Sequence, residues 1–310
     1  MNDISDAALS CVGGRLTAAK VVLSRAGQGL AVADGGEADI RDAEMTDIAG
    51  AGMSCAGGKL AAARVTVLRA GCGLTITARG EAAIRDCALT DIAGAGVTCV
   101  AGKLTAAAVA ILRSQTGFAL HSCSAADISG SAVRAAQTGI EATSGVRLRL
   151  SDSSVNGCDR GVWIQEDASL SVCGGVFENN SFAGIYTDRG AVSVAGAGFK
   201  KNNIGVFSDH AGAVVIDKAE FSANRTGLKC DRGATVRMAM TSVYGCEWDG
   251  IWCGEGVKLE LNSNSFAANR HGIKEDGPCE VKMAGNKFSE NFAADHLAWP
   301  HATDGVSGKR

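Results

Sequence analysis

The chain repeats itself about every 22 residues along its whole length. Glycines followed by an apolar residue form one file, Gly29, Gly52, Gly73, Gly96, Gly117, Gly139, Gly161, Gly184, Gly205, Gly227, Gly250 and Gly272, at spacings of 21 to 23 residues. Fifteen or sixteen residues after each stands a large apolar residue: Met45, Leu68, Leu89, Leu112, Val133, Val155, Phe177, Phe199, Phe221, Val243, Phe266 and Phe288, with Leu23 upstream. A short fixed period means stacked supersecondary units rather than a closed globule.

Within each unit the apolar residues alternate, as in Val192 and Val194, Val214 and Ile216, or Leu259 and Leu261. Period two reads as strand with one buried face. A second short strand follows the glycine and a third surrounds the large apolar residue. Three strands per lap, with like residues stacking, describe an all-β, single-stranded parallel β-helix of about 13 rungs. At a rung spacing of ~4.8 Å the rod is on the order of 60 Å long. Phe177, Phe199 and Phe221 are then expected to stack as one file, and Phe266 on Phe288. Asn180, Asn202, Asn224, Asn269 and Asn291 form an amide file whose donors and acceptors satisfy one another. The glycine file is expected to supply the backbone freedom of a corner.

The solenoid is expected over residues 4–291. Its first half, 4–150, is rich in alanine, glycine and cysteine and contains a two-rung duplication, residues 29–72 against 73–116. There Leu16, Ala38, Leu60, Ala82, Leu104 and Ala126 interleave large and small side chains, which fills a narrow core without overpacking. The second half, 151–291, carries the phenylalanine and asparagine files. The tail, 292–310, is expected to fold Phe292, Leu297 and Trp299 over the last rung. The first rung is expected to be uncapped and to invite a stacking partner.

The strings NNSFAGIYTDRGAVSV, KKNNIGVFSDHAGAVVI and NSFAANRHGIKEDGPCEVKM resemble the right-handed parallel β-helix repeats of the pectate-lyase-like superfold. They are most similar to its regular branch: NosD-type proteins, mannuronan epimerases, and the β-helix regions of F-box and SHC-binding proteins. The resemblance implies a right-handed coil. It specifies no chemistry, because the superfold hosts lyases, hydrolases, epimerases and inert scaffolds. Similarity to the epimerases maps a catalytic Asp-His onto Asp209 and His210. The proline between that motif's aspartate and histidine is absent here, as is its second aspartate.

Net charge is −3 and the basic residues do not cluster, so duplex nucleic acid is not an expected partner. No run of eighteen apolar residues suggests a membrane span, and MNDISDAALSCVGG lacks the features of a signal peptide. Of twelve cysteines, Cys11, Cys55 and Cys99 recur every 44 residues at an inward position shared by Cys230 and Cys253. They read as small apolar fillers kept reduced, hence an intracellular location. No Cys-x-x-Cys pair supports zinc, and His121, His271, His296 and His301 show no metal-ligand spacing.

Alternation turns Trp163, Tyr186, Phe207 and Trp252 outward as a stripe, with Lys229 and Lys274 in the remaining places. An aligned aromatic stripe suits a protein partner or sugar rings, unless a loop or the tail covers it. Two residues further on, Asp188, Asp209, Asp231 and Asp276 form an acidic file. Adjacent and alternate rungs would separate these carboxylates by about 5 Å and 9–10 Å, which overlaps the retaining and inverting glycosidase ranges. The bland alternative is that DRGA and DHAGA are turns in which aspartate caps its own backbone.

On this basis the chain is expected to be a non-catalytic, intracellular scaffold, cytoskeletal or ciliary, docking protein partners through Trp163, Tyr186, Phe207 and Trp252, with no cofactor. The alternative is a carbohydrate-active protein, a lyase, hydrolase, epimerase or lectin, in which Asp188, Asp209, Asp231 and His210 supply acid, base or calcium contacts. A trimeric phage fibre is a third reading, opposed by the small-residue first half.

Overall fold

The computed structural model describes residues 4–123 and 125–299. Among them there is no helix: parallel strands stack as a β-solenoid of about 13 turns with a period of ~22 residues. A lap of the second half has three short strands, for example Ala191–Ala195, Gly198–Lys200 and Ile204–Asp209. Each pairs in parallel with its counterpart one lap on, Ala213–Asp217, Glu220–Ser222 and Thr226–Cys230. In the first half the ladder pairing carries on through the corners, so that nearly a whole lap runs as one strand, as in Glu37–Ala56.

The core is a set of files along the axis. Phe177 stacks on Phe199 with centroids 5.1 Å apart, and Phe199 on Phe221 at 4.6 Å. Phe266 and Phe288 repeat the arrangement at 5.1 Å. Leu16, Ala38, Leu60, Ala82, Leu104 and Ala126 are in direct register. Two members of the apolar file are not those expected. The stack runs Met45, Val67, Leu89, Ile111, Val133, so Leu68 and Leu112 each give their core place to the residue before. The duplicated laps are unequal in length, and a fixed count from the glycine lands one residue late in every second lap.

The glycine file also has a different cause. Its members lack positive φ. They sit where successive laps approach most closely: a Cβ at Gly205 would lie 2.5 Å from the Gly227 carbonyl oxygen and 2.6 Å from the Phe221 ring. The left-handed conformations lie at three other corner files, mostly on non-glycine residues, one of which holds Glu166, Arg189, His210 and Arg232. A second includes Asp47, Arg69, Asp91, Arg113, Asn179 and Lys201, with φ between 51° and 57°. The third includes Asp42, Arg64 and Asp86 at 52° to 54°. Short polar side chains tolerate this region best.

The asparagine file is buried and continuous over three laps. The Asn180 amide donates to Asn202 Oδ1 at 2.9 Å and the Asn202 amide to Asn224 Oδ1 at 3.0 Å. Each amide also donates to a carbonyl of an earlier corner, at Val155, Phe177 or Phe199. Asn269 donates to Asn291 at 3.1 Å. A second ladder, Asn264 to Asn286 at 3.0 Å, lies at another corner and continues files of serine and threonine. At the end of the described chain, Ala294–Leu297 pairs with His271–Glu275 and prolongs the coil. Phe292 is 81% exposed and does not cover the last rung. Residues 300–310 of the expected cap lie outside the described residues.

Candidate functional site

The third strand of each lap builds one long face. Trp163, Tyr186, Phe207, Lys229, Trp252 and Lys274 are consecutive partners in the ladder, so the stripe expected from the sequence is a single file. It does not lie open throughout. Phe207 is only 7% exposed. Phe182 leans over it at 6.1 Å and meets Tyr186 edge-on at 5.3 Å. These rings, with Ala183 and Ile204, make a small apolar cluster outside the main core. Trp163, Tyr186 and Trp252 are half-buried. Phe207 is therefore a support for its neighbours rather than a free contact, because Phe182, from the corner before the strand, folds onto the outward face.

Cations lie over the rings. Arg160 sits 4.5 Å from the Trp163 centroid and 5.6 Å from Phe182. Lys229 lies between Phe207 and Trp252, at 4.9 and 4.6 Å, and Arg225 covers Trp248 at 3.7 Å. None of these three has a carboxylate partner among the described ion pairs, whereas most other cations of this half do. A ring face stabilises a cation without neutralising it. The flanking residues Arg160, Arg225 and Trp248 were not singled out by alternation, because Arg225 and Trp248 lie in the corner before the strand and Arg160 is its first residue. The one sequence signal for them was an arginine recurring in the same corner, two residues before the file glycine at Arg225 and Arg270 and one before it at Arg160.

The acidic file divides into unlike members. Asp209 is 1% exposed and is held by Arg232, whose Nε donates to Oδ1 at 2.8 Å while its terminal nitrogen donates to Oδ2 at 2.5 Å. Asp188 is in register with Asp209 one lap earlier. His210 Nδ1 lies 3.2 Å from Asp188 Oδ1 and 3.4 Å from Asp209 Oδ2, so the imidazole bridges the two carboxylates. Asp188 Oδ1 is buried without an aligned hydrogen bond. Tyr186 stands beside this group; burial and the charges of Asp209 and Asp188 push its phenol above the usual value of 10.0, against the opposing pull of Arg232. Asp231 does not join: its Oδ1 accepts the Arg232 amide at 2.9 Å, as a turn cap. Asp209 also accepts the His210 amide at 2.9 Å, so it caps its turn and anchors the network at once. Asp276 pairs with Lys274 at 3.6 Å.

A neutral imidazole with its proton on Nδ1, the nitrogen nearest the two carboxylates, would present Nε2 as an acceptor. With Arg232 and Tyr186 alongside, the group has the parts for proton transfer next to an anionic centre. On the next laps Arg225, Lys229, Trp248, Trp252, Asp249 and Lys274 line a basin of about 340 Å³. At its edge the His271 Nδ1 and Asp249 Oδ1 are 2.7 Å apart.

The family model of NosD, described as a periplasmic copper-binding protein, matches residues 100–294. Among solved structures, the periplasmic alginate epimerase AlgG shares the fold at 12% identity and a TM-score of 0.53, over 87% of this chain and 77% of that one. A point variant of AlgG matches at 11% identity and a TM-score of 0.60, over the same shares of 87% and 77%. No curated protein matches this chain.

Copper is the metal that the family description implies. Among the described residues no three His, Cys, Asp or Glu side chains converge on a point that could hold a metal ion. His121, His210, His271 and His296 each face a hydroxyl or carboxylate instead. The inward cysteines are buried thiols whose ionisation burial opposes, as at Cys246, pushed up to about 12. These residues do not fit copper.

The matches overturn the expectation of a non-catalytic intracellular scaffold, cytoskeletal or ciliary. The family is described as periplasmic, and the fold neighbours are periplasmic alginate epimerases. The error has a physical source: cysteines buried as core fillers report on packing, and a thiol without a partner stays a thiol in any compartment. The matched segment covers well over half the chain, and the chain belongs to the NosD family of right-handed parallel β-helix proteins.

Proposed function

We propose that the protein is a carbohydrate-active β-helix protein, placed outside the cytoplasm, that binds an acidic polysaccharide along the face from Trp163 to Lys274. One observation carries this reading: in a single ladder register, half-buried rings, cations without carboxylate partners and the Asp188–His210–Asp209–Arg232 network share one side of the rod. Aromatic faces suit the apolar faces of pyranose rings, and the cations suit their carboxylates. The likeness to alginate epimerases supports the reading as an analogy of fold.

The network suits abstraction of the proton beside a sugar carboxylate. His210 Nε2 takes the C5 proton. Arg232, already in place, offsets the charge that develops on the carboxylate, and Tyr186 stands as a proton donor. Return of a proton to the opposite ring face gives the epimer; loss of the O4 substituent gives the unsaturated sugar. Asp209 holds Arg232 and His210 in position and does not itself meet the substrate.

The test pairs retention on immobilised uronate and neutral polysaccharides, with and without calcium, with proton NMR of a uronate polymer incubated with the protein. Uronate retention that weakens in Trp163→Ala and Trp252→Ala supports the face, and turnover abolished by His210→Ala supports the network. Retention with no turnover leaves a lectin. A protein that ignores every glycan refutes the proposal.

A further inference from the structure

The basin beside the network has its own composition, and it suggests what occupies it. Strands Thr226–Cys230, Asp249–Cys253 and His271–Glu275 turn Lys229, Trp252 and Lys274 outward on three successive laps. The corners before the first two strands add Arg225 and Trp248. Trp248 is 43% exposed, and one face of its indole is already taken by the Arg225 guanidinium at 3.7 Å. Trp252 is half-buried, with the Lys229 ammonium 4.6 Å from its centroid.

The acids in the wall are engaged. Asp249 faces His271 at 2.7 Å and Asp276 faces Lys274 at 3.6 Å. Arg225 and Lys229 face rings instead, and neither is matched with a carboxylate among the described residues. The basin thus combines two indoles with two cations whose donors remain available. A guanidinium held flat by a ring presents its edge N–H groups as a fork suited to a carboxylate. A planar apolar platform beside such a fork matches a pyranose that carries a carboxylate.

Position supports the same occupant. Lys229 is the ladder partner of Phe207, two residues before Asp209, so Lys229 lies one lap beyond His210, on the lap that supplies Arg232 to the network. Laps stack at ~4.8 Å, close to the rise of one residue in an extended 1,4-linked polysaccharide. A chain lying along the rod with one sugar at His210 sets its next sugars in the basin.

We infer that this basin is a uronate-binding subsite: Arg225 and Lys229 take the carboxylate and Trp252 carries the ring, one to two sugars from the His210 network. The inference rests on the acidic-polysaccharide reading given above. Its test is isothermal titration of the full chain with a uronic-acid hexamer, the carboxyl-reduced neutral hexamer and a sulfated neutral hexamer. Arg225→Gln and Lys229→Gln, both at exposed or half-exposed positions, are expected to weaken the uronate hexamer about tenfold each, the cost of one charged hydrogen bond. Binding of the neutral hexamer stays the same within about twofold, and circular dichroism stays unchanged. If both variants bind the uronate like the parent while Trp163→Ala does not, the subsite is wrong and the face stands. A sulfated hexamer that binds as tightly as the uronate refutes the carboxylate assignment. A parent protein that binds none of the three overturns the subsite and the reading beneath it together.

Discussion

Asn202 shows how much one buried amide holds. Its Oδ1 accepts from the Asn180 backbone and side chain, and its Nδ2 donates to Phe177 and to Asn224. Asn202→Leu breaks these four hydrogen bonds; the Asn180 N–H and the Phe177 carbonyl lose their side-chain partner, while the Asn180 amide keeps Val155 and Asn224 Oδ1 keeps the backbone N–H of residue 202. At roughly 1–3 kcal/mol per orphaned buried group, the expected loss is about 2–6 kcal/mol, read from the urea midpoint. Tyr186 offers a residue-scale test in pH. Its folded-state phenol titrates above the unfolded value of 10.0, so its contribution is present below that value and disappears as pH rises through the folded one. Spectrophotometric titration is expected to show one tyrosine ionising late, and Tyr186→Phe to remove that step. Much at this scale was legible in the sequence. The phenylalanine and asparagine stacks follow from spacing alone. The cations over the rings do not, since Arg160 and Arg225 reach the face from where the strand leaves the corner and their aim depends on the bend. Phe207 was misjudged for the same reason: alternation gives the side of a strand, not what a neighbouring corner lays over it.

At the scale of the ladder, Cys246 is the odd member. It takes the file position between Asn224 and Asn269, and its backbone N–H donates to Asn269 Oδ1 at 3.0 Å as an asparagine there would. Its thiol gives Asn224 no strong acceptor in return. Space is similar: a Cβ on the facing glycine comes within 3.4 Å of Cys246 and within 3.3 Å of Asn269 at the next lap. Cys246→Asn is expected to join the two ladders and raise stability by roughly 1 kcal/mol, as measured by chemical denaturation. Phe199→Ala opens the middle of the ring stack and is expected to cost about 3–5 kcal/mol, whereas Phe292→Ala, at an exposed site, changes stability by less than about 0.5 kcal/mol. The corner ion pairs Arg64–Asp42, Arg69–Asp47 and Arg113–Asp91 are exposed and repeat from lap to lap at 2.5 Å. Exposed pairs of this kind add little each. Their use is in the left-handed corners themselves, where alternating charge keeps like side chains from stacking.

Over the whole molecule, contacts join each lap only to the next, so stability sums along the rod instead of arising from one centre. The coil was legible from end to end because a fixed period leaves no other economical packing. The uneven lap length that displaced Leu68 and Leu112 was hidden, because a one-residue slip inside an apolar run looks the same on paper. Compartment was misread because the core cysteines fill space whatever lies outside. Function was least legible, since one recurring turn supplies both a backbone cap and the Asp209 that anchors Arg232 and His210.

The twin segments 29–72 and 73–116 are interchangeable parts of a spring. Excising residues 73–116 would join Cys72 to Gly117, a glycine in the same file, and remove two whole coils. The shortened molecule should still fold, about 10 Å shorter, with every side chain from Trp163 onward keeping its neighbours. A lineage carrying such a gene can change the reach of the protein by copying or dropping coils at one end, while the chemistry at the other stays as it was.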